Sequence, residues 1–238
     1  MTRTKTFFVL GSFILLTSFA SAQSGYMDNA LNYNQLIKEK TADGVYKLVG
    51  VFKVTGTSYL FGEKNKGDLY SPDAQAQNIS LSYNTYNQEV EFYSSSNPDK
   101  PLIKEPGTVD SFFLNSNAQL GIANKMKFVY GPHLGSTEKS YFLEIYSGKR
   151  FSIYKRYKSE LGYVSTNYVQ SELRTFDLGY EYFYRDSEKN SFKKIKPNYT
   201  SVTKEFKGTK DLSSVVSIED FATNPDISFV KAFEYLNN

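Results

Sequence analysis

The stretch Leu81-Ser82-Tyr83-Asn84-Thr85-Tyr86-Asn87-Gln88-Glu89-Val90-Glu91-Phe92 decides the fold class of this chain. In its first half, Leu81 and Tyr83 share one face of an extended segment and Ser82 takes the other face. Residues 84–87 form an Asn-rich turn signal, after which Val90 and Phe92 alternate with glutamates. Alternation on both sides of a turn predicts an antiparallel hairpin.

The same period of two recurs on both sides of this hairpin. We predict strands at 45–54 with an interruption near Gly50, at 57–61, 79–83, 108–114, 124–130, 141–146, 150–157, 171–176, 179–185 and 191–196. The Ser147-Gly148 turn predicts a second hairpin between 141–146 and 150–157. The polar stretch 94–101 contains two prolines and predicts a loop.

The last part of the chain carries helix signals. We predict a helix at 200–206, a capping box at residues 217–220, and a helix that starts at Asn224-Pro225-Asp226. In that last helix we expect one face to be buried and to hold Phe229, Val230, Phe233 and Leu236, with Ser228, Lys231 and Glu234 pointing outward. The chain is therefore predicted to be mainly β: an antiparallel sheet, either a sandwich or an open barrel, with short C-terminal helices.

The first 22 residues have the pattern of a cleavable export signal. A basic start at residues 2–5 precedes an apolar run from Phe7 to Phe19, and Ala20-Ser21-Ala22 supplies the small residues of a cut site. We expect residues 23–44 to form an N-terminal arm or a short helix, residues 45–196 a β domain, and residues 197–238 a helical segment packed on the sheet. No later run reaches the roughly 20 apolar residues of a transmembrane helix, so we expect no transmembrane anchor.

The composition narrows the function classes. The chain of 238 residues has no Cys, no Trp and one His, but 20 Tyr and 19 Phe. Disulfide scaffolds, thiol enzymes and cysteine metal clusters are thereby excluded. Without Arg3 and Lys5 the chain keeps 26 basic residues against 25 acidic residues, a net charge of +1. Nucleic acid binding usually depends on a basic surplus, so we predict no nucleic acid partner.

Three short motifs resemble a known family. They are Gly56-Thr57-Ser58-Tyr59-Leu60, Lys66-Gly67-Asp68-Leu69-Tyr70 and the hairpin 81–92, and the C-terminus ending Tyr235-Leu236-Asn237 is also similar. Together they resemble a family of uncharacterised secreted or periplasmic β-rich proteins of Bacteroidota-type Gram-negative bacteria. The chain departs from that pattern at Ser58, where the family has Pro, and at Ser82, where it has Arg. The resemblance implies an envelope location and no known activity, and it carries over no functional residue.

The candidates for catalysis are few. His133, the single histidine, lies in a turn-rich loop without a second ligand or a Gly-x-Ser-x-Gly motif nearby, so neither a metal site nor a serine hydrolase is predicted. Glu89 and Glu91 would project from one face of a strand about 6.6 Å apart, near the separation of paired carboxyls in glycoside hydrolysis. Such glutamates are also common on the solvated face of a hairpin, and we expect that placement. We therefore predict no catalytic residue, no metal and no cofactor.

The candidate binding residues are Tyr180, Tyr182 and Tyr184. They share one face of a predicted strand, where exposed rings could form a platform for sugar rings or for the edge of a partner protein. The alternative is that this row packs inward, and which row is buried decides between the two.

The sequence thus favours an exported, monomeric, non-enzymatic protein of the periplasm or outer membrane with a binding or structural role. Its partner would be an envelope protein or a glycan. A glycan hydrolase that uses carboxylates and a protein–protein interaction module of an envelope complex remain as alternatives.

Overall fold

The computed structural model describes residues 35–41, 43–104, 107–163 and 173–238. The predicted export signal, its cut site and residues 23–34 of the predicted arm lie outside these ranges. Within them the chain is mainly β, as predicted, and forms one large sheet followed by a few short helices.

The described chain contains twelve strands and three α-helices. The strands are β1 (Gln35–Lys40), β2 (Tyr46–Thr55), β3 (Asn65–Ser71), β4 (Ala74–Asn84), β5 (Glu89–Ser94), β6 (Asn97–Ile103), β7 (Ser111–Leu114), β8 (Met126–Tyr130), β9 (Tyr141–Tyr146), β10 (Phe151–Tyr163), β11 (Leu173–Asp186) and β12 (Ser191–Ile195). The α-helices are α1 (Tyr199–Phe206), α2 (Ile218–Thr223) and α3 (Pro225–Asn237). Two short 3-10 helices lie at Ala118–Leu120 and Gly131–Leu134.

The strands form one sheet in the order β1-β2-β11-β10-β9-β8-β7-β3-β4-β5-β6. All neighbours are antiparallel except β2 and β11, which pair in parallel from Lys53↔Leu173 to Thr55↔Thr175. Strand β10 covers one edge of β11 from Arg174 to Asp186. Strands β2 and β12 therefore share the other edge of β11, at opposite ends.

The hairpin predicted from residues 81–92 is confirmed and also curves the sheet. Strands β4 and β5 pair from Ser80↔Tyr93 to Asn84↔Glu89. The backbone carbonyl of Thr85, in the turn between them, accepts a hydrogen bond of 3.1 Å from the Ser159 amide of β10. On the other side of the turn, Asn87 Oδ1 accepts one of 3.2 Å from the Lys40 amide of β1. The sheet thus curls until its two ends approach each other.

Three groups of buried side chains stabilise this curled sheet. On the inner face, one group lies between the sheet and the C-terminal helices, and we call it the helix-covered core. A second group on the inner face is enclosed by the curl of β3–β5 and β7–β9, and we call it the sheet core. The helix-covered core includes Phe151, Ile153, Tyr182, Tyr184, Val202, Phe206, Phe229 and Phe233; the sheet core includes Leu69, Leu81, Tyr83, Phe112, Phe128, Tyr130, Tyr141 and Leu143.

The third group lies on the outer face. Phe142, Tyr154 and Phe183 alternate along their strands with residues of the two inner cores, so they must point the opposite way. They pack with Leu134 and Phe192. The middle of the sheet is consequently buried on both faces.

The predicted caps of the last two helices are confirmed. Ser217 and Asp220 form a capping box at the start of α2, and Asn224 Oδ1 accepts from the Ile227 amide at 3.1 Å to cap α3. Phe229, Phe233 and Leu236 are buried as expected, whereas Val230 is only partly buried. Ser228 is buried too, contrary to the prediction, because its hydroxyl donates to the Asn224 carbonyl and so carries no unpaired polar group into the core.

Several other elements differ from the predictions. Residues 35–40, within the segment expected to be an arm or a short helix, form strand β1. The expected strand at 57–61 is reduced to a single bridge between Tyr59 and Asn84. Strand β3 was not predicted because its sequence, Asn-Lys-Gly-Asp-Leu-Tyr-Ser, has no regular alternation. Residues 173–176 and 179–185, predicted to lie in two separate strands, belong to one long strand, β11, and residues 171–172 of the first predicted strand lie outside the described ranges.

The prediction of a loop at residues 94–101 is also wrong. Residues 97–103 form β6, which pairs with β5 at Phe92↔Leu102 and Tyr93↔Pro101. Strand β6 is the last in the sheet order, and an edge strand tolerates proline because one row of its amides needs no partner.

Among the described residues, no helix combines the length and the apolar character that a bilayer crossing requires.

Candidate functional site

A cavity of about 550 Å³ lies where the two ends of the curled sheet approach each other. We call it the tip cavity, because the loop that connects β1 and β2 forms one side of it. The turn between β4 and β5 forms a second side, and residues from β8, β9 and their neighbours form the third. Its lining residues are Lys40, Thr41, Asp43, Gly44, Tyr86, Asn87, Gln88, Glu89, Val90, Lys104, Val109, Tyr130, Lys139 and Tyr141.

The β4–β5 turn holds the cavity in shape through its side-chain amides. Asn84 Oδ1 accepts from the amides of Tyr86 and Asn87 at 3.1 and 3.0 Å, which fixes the turn itself. Asn87 Nδ2 then donates to the Lys38 carbonyl of β1 at 3.3 Å. Gln88 Nε2 donates to the Tyr157 carbonyl of β10 at 2.8 Å. One short turn therefore connects the β4–β5 hairpin to two strands that are distant in sequence, β1 and β10.

Two buried tyrosines form the aromatic wall. The ring centroids of Tyr130 and Tyr141 are 5.4 Å apart, and the Tyr141 hydroxyl donates to the Val109 carbonyl at 3.1 Å. Burial raises the pKa of both phenols, so both stay neutral at physiological pH. Tyr86 closes the opposite side and packs edge-on against Phe176 at 5.3 Å. Tyr130 and Tyr141 line the cavity but are only 6% and 5% exposed, so the aromatic surface that they present to it is small.

The charged groups of the cavity divide into paired and unpaired side chains. Glu89 is buried and accepts hydrogen bonds from the Lys40 ammonium and the Tyr46 hydroxyl. Lys104 and Lys139 are exposed, and neither forms an ion pair with another described residue. Among the described residues, two ammonium groups without an ion pair therefore flank the cavity, together with the carboxylate of Asp43, whose pKa the Thr41 hydrogen bond lowers. Glu89 is paired with Lys40.

Glu89 and Glu91 do not lie on a solvated face as predicted. Both are about 95% buried, with exposed fractions of 5% and 4%, because Tyr46, Lys40 and Tyr59 cover this part of β5. The Tyr59 hydroxyl contacts both carboxylate oxygens of Glu91 at 3.0 and 3.1 Å. Burial raises the pKa of Glu91 above its usual value. Glu89 lines the tip cavity but Glu91 does not, so the two do not face each other across a cleft.

The three predicted platform tyrosines share one face of β11, but they do not form an open platform. Tyr182 packs on Phe229 with ring centroids 4.8 Å apart, and Tyr184 packs on Phe206 at 5.1 Å. Both belong to the helix-covered core, whereas Tyr180 is 53% exposed. Tyr182 and Tyr184 therefore pack inward, which is the alternative that the sequence analysis gave to an exposed platform.

The sequence did not predict the role of Lys155 next to this row. Its ammonium lies 4.4 Å from the ring centroid of Tyr180 and 5.3 Å from that of Tyr182, and it donates to Asp226 at 3.0 and 3.2 Å. The Tyr182 hydroxyl also donates to Asp226. This partly buried cluster attaches the first turn of α3 to β10 and β11. The sequence contains one indication of this role. Lys155 lies two residues after the buried Ile153 on β10, so its side chain points to the same inner face of the sheet.

His133 forms a pair with Asp110 instead of a catalytic array. Its Nε2 lies 2.8 Å from Asp110 Oδ1, and its ring packs edge-on against Tyr130. In the part of the chain that the structure describes, no serine hydroxyl is hydrogen-bonded to His133. Within that same part, no group of three or more metal-ligating side chains could hold an ion.

Comparison with protein families, with curated proteins and with solved structures found no match to this chain.

Proposed function

We propose that this is an exported, non-enzymatic envelope protein that binds an acidic glycan in the tip cavity. The proposal of export depends on the leader pattern of residues 1–22, and an envelope location agrees with the family resemblance of the hairpin 81–92. The proposal of binding depends on the geometry of the cavity.

The single observation that carries the binding proposal is the pair of unpaired lysines beside an aromatic wall. Lys104 and Lys139 supply two positive charges without an acidic partner among the described residues. Tyr86, Tyr130 and Tyr141 supply aromatic side chains against which the apolar face of a sugar ring can pack. A uronic acid unit combines such a ring with a carboxylate, and therefore matches both features.

Calorimetric titration with oligogalacturonate tests the proposal. The matched ligand is the same oligosaccharide as its methyl ester, which keeps the rings and removes the charges. We expect binding of the acid and at least tenfold weaker binding of the ester. The double substitution Lys104→Gln, Lys139→Gln should weaken binding of the acid about tenfold, since each exposed ion pair contributes up to about 1 kcal/mol. Lys196→Gln with Lys207→Gln, two exposed lysines elsewhere, should leave it unchanged.

A glycan hydrolase is the second candidate, and the raised pKa of Glu91 favours it, because a general acid needs a carboxyl that keeps its proton. Against it, Glu89 is occupied by Lys40 and Tyr46, and Glu91 is outside the cavity lining. Release of reducing ends from oligogalacturonate, abolished by Glu91→Gln, would establish the hydrolase and refute the binding protein.

A protein–protein interaction module would show itself differently. Affinity capture from the native envelope would then recover a protein partner, whereas a glycan-binding protein would recover glycan that survives protease treatment. Mass spectrometry of the captured protein also tests export, because a cut before Gln23 leaves glutamine as the first residue.

A further inference from the structure

Part of one edge of β11 has no neighbouring strand. On the edge away from β10, β2 pairs with β11 only as far as Thr175, and β12 pairs with it only from Tyr182 onward. Among the described residues, residues 176–181 therefore have no partner strand on this edge, over a length of about 20 Å. We call this stretch of β11 the open edge.

The backbone groups of two residues point out of the open edge. The Thr55 hydroxyl of β2 donates to the Arg174 carbonyl, so the backbone groups of Arg174 point toward this edge. Backbone groups alternate between the two edges of a strand, and β11 pairs with β10 without a register shift from residue 174 to residue 186. Leu178 and Tyr180 therefore also direct their N–H and C=O groups to the open edge. Within the described ranges, no hydrogen bond reaches these groups.

The open edge is accessible to solvent. Asp177, Leu178, Gly179 and Tyr180 are all exposed, and the exposed fractions of Leu178 and Tyr180 are 51% and 53%. Because Gly179 has no side chain, its exposure is exposure of the backbone itself. A second polypeptide can therefore approach the edge without displacing a described segment of the chain.

The backbone of the open edge selects one kind of molecule. Its N–H and C=O groups are spaced as in any strand, and an extended polypeptide supplies the complementary groups at the same spacing when it adds to a sheet. The stretch is bounded by β2 and β12, so it accommodates a strand of about five residues.

The side chains beside the open edge specify the sequence of that strand. Leu178 and Tyr180 lie on the inner face and offer apolar surface. Asp177 lies on the outer face, directly opposite Glu160, and its carboxylate forms no ion pair with another described residue. Glu160 is already paired with Lys158 at 2.9 Å. A strand that alternates apolar and basic side chains therefore complements both faces.

We infer that the open edge binds an extended segment of another protein, which adds to the sheet as a strand. The segment pairs with the backbone of Leu178 and Tyr180, packs apolar side chains on the inner face and places a Lys or Arg beside Asp177. No residue of β11 lines the tip cavity, so this contact is separate from the proposed glycan site.

Nuclear magnetic resonance titration with a synthetic peptide tests this inference. The probe is acetyl-Thr-Val-Lys-Val-Thr-amide, which alternates apolar and basic side chains. We expect the largest shifts at the amides of Leu178 and Tyr180, and slower hydrogen exchange of both amides in the complex. The same peptide with Glu in place of Lys should bind about fivefold more weakly, because it faces Asp177 with a like charge. The peptide with N-methyl groups on all its internal amides keeps the side chains and should not bind.

Three variants of the protein locate the contact. Leu178→Pro removes an N–H that points away from β10, so the β10–β11 ladder is kept while binding should weaken about tenfold. Leu178→Val keeps this N–H and an apolar side chain, and should bind as the parent does. Asp177→Asn changes no backbone group and remains informative if the proline variant folds poorly. It should make the Lys and Glu peptides bind about equally well.

Several outcomes would overturn the inference. Equal binding of the N-methylated peptide would show that no strand is added, and absence of any shift in β11 would show that no peptide binds there. Slow exchange of the Leu178 and Tyr180 amides in the free monomer would mean that the chain itself fills the open edge. A dimer in analytical ultracentrifugation that dissociates in Leu178→Pro would assign the edge to a second copy of the chain. Titration of Leu178→Pro with oligogalacturonate keeps the two proposals apart, since binding in the tip cavity should be unchanged.

Discussion

Gly67 of β3 has no room for a side chain. A Cβ atom there would lie 2.0 Å from the Phe113 carbonyl oxygen of β7 and 2.9 Å from Leu81 Cδ2. We expect Gly67→Ala to lower the free energy of unfolding by about 3 kcal/mol, because the backbone of β7 must move to relieve the clash. Urea denaturation measures the loss. Gly179→Ala is the control, since its nearest neighbour is the Lys158 carbonyl at 3.6 Å, and its effect should stay within about 0.5 kcal/mol.

Glu91 should make stability depend on pH. Burial raises the pKa of its carboxyl in the folded protein above the usual 4.5, so folding favours the protonated form. Its favourable contribution is complete below the unfolded pKa and is lost as pH rises through the folded pKa. We expect Glu91→Gln to equal the parent in stability in acid and to become progressively more stable than it as pH rises above 4.5.

Glu181 provides the comparison of opposite sign. Lys194, with Arg156, lowers the pKa of its carboxyl below 4.5, so its contribution is present at neutral pH and lost as pH falls through the folded pKa. Glu181→Gln should therefore be less stable than the parent at neutral pH and approach it in acid. Unfolding free energies measured across the pH range test both variants. If the stability difference between Glu91→Gln and the parent did not change with pH, the prediction that burial raises the pKa of the Glu91 carboxyl would be contradicted.

At the scale of single residues, the strand face on which a side chain lies could be predicted from the sequence, but the residues that cover that side chain could not. The position of Glu91 on a strand face was predictable from alternation, but its burial was not, because Tyr59 reaches it from a segment 32 residues away. The same holds for Tyr182 and Tyr184, which are covered by helices that the alternation of β11 does not reveal.

Among the elements, α3 is attached to the sheet at both of its ends. Asp226 binds Lys155 and Tyr182 at the first turn, and Asn237 binds the start of β10 at the last. Asn237 Oδ1 accepts from the amides of Arg150 and Phe151 at 2.9 and 3.0 Å, and its Nδ2 donates to the Phe151 carbonyl at 2.9 Å.

We expect Asn237→Ala to lower the free energy of unfolding by about 2 to 3 kcal/mol, because several backbone groups lose their partner at once. Hydrogen exchange of the Phe151 amide should become faster in the same variant. Asn238→Ala is the matched control, and its effect should be negligible. Unchanged exchange at Phe151 would mean that the side chain of Asn237 does not hold β10.

Elements were predictable where their signals are local. The β4–β5 turn, the capping box at Ser217 and the Asn224-Pro225 start each lie within a few residues of sequence, and each was found where expected. Strands β3 and β6 were missed because neighbouring strands define them: β3 lies between β4 and β7, and β6 tolerates its prolines only as an edge strand.

At the scale of the whole molecule, the helices and the sheet should unfold together. Ile145 of β9 packs against both the helix-covered core and the sheet core, so neither can lose its packing without exposing part of the other. We expect a single urea transition, with coincident midpoints for the far-ultraviolet signal of the backbone and the near-ultraviolet signal of the tyrosines. Ile145→Ala should shift both midpoints equally. Separate midpoints in the parent protein would show that the helices unfold on their own.

The architecture at this scale was only partly predictable. A mainly antiparallel sheet with helices at its end follows from alternation and caps. The parallel pairing of β2 with β11 does not, because it joins segments with unrelated local patterns. The tip cavity is lined by at least four separate segments of the chain, so no single sequence motif could predict it.

That parallel pairing has a consequence for how the protein is made. The Thr55 hydroxyl donates a hydrogen bond to the Arg174 carbonyl, 119 residues later in the chain. Strand β2 therefore cannot complete this pairing until the ribosome has synthesised β11. At 5–20 residues per second the delay is on the order of ten seconds. Throughout that interval Leu48 and Val51 of β2 are attached to a nascent polypeptide whose β11 edge does not yet exist, so β1 is the only described strand with which β2 can pair.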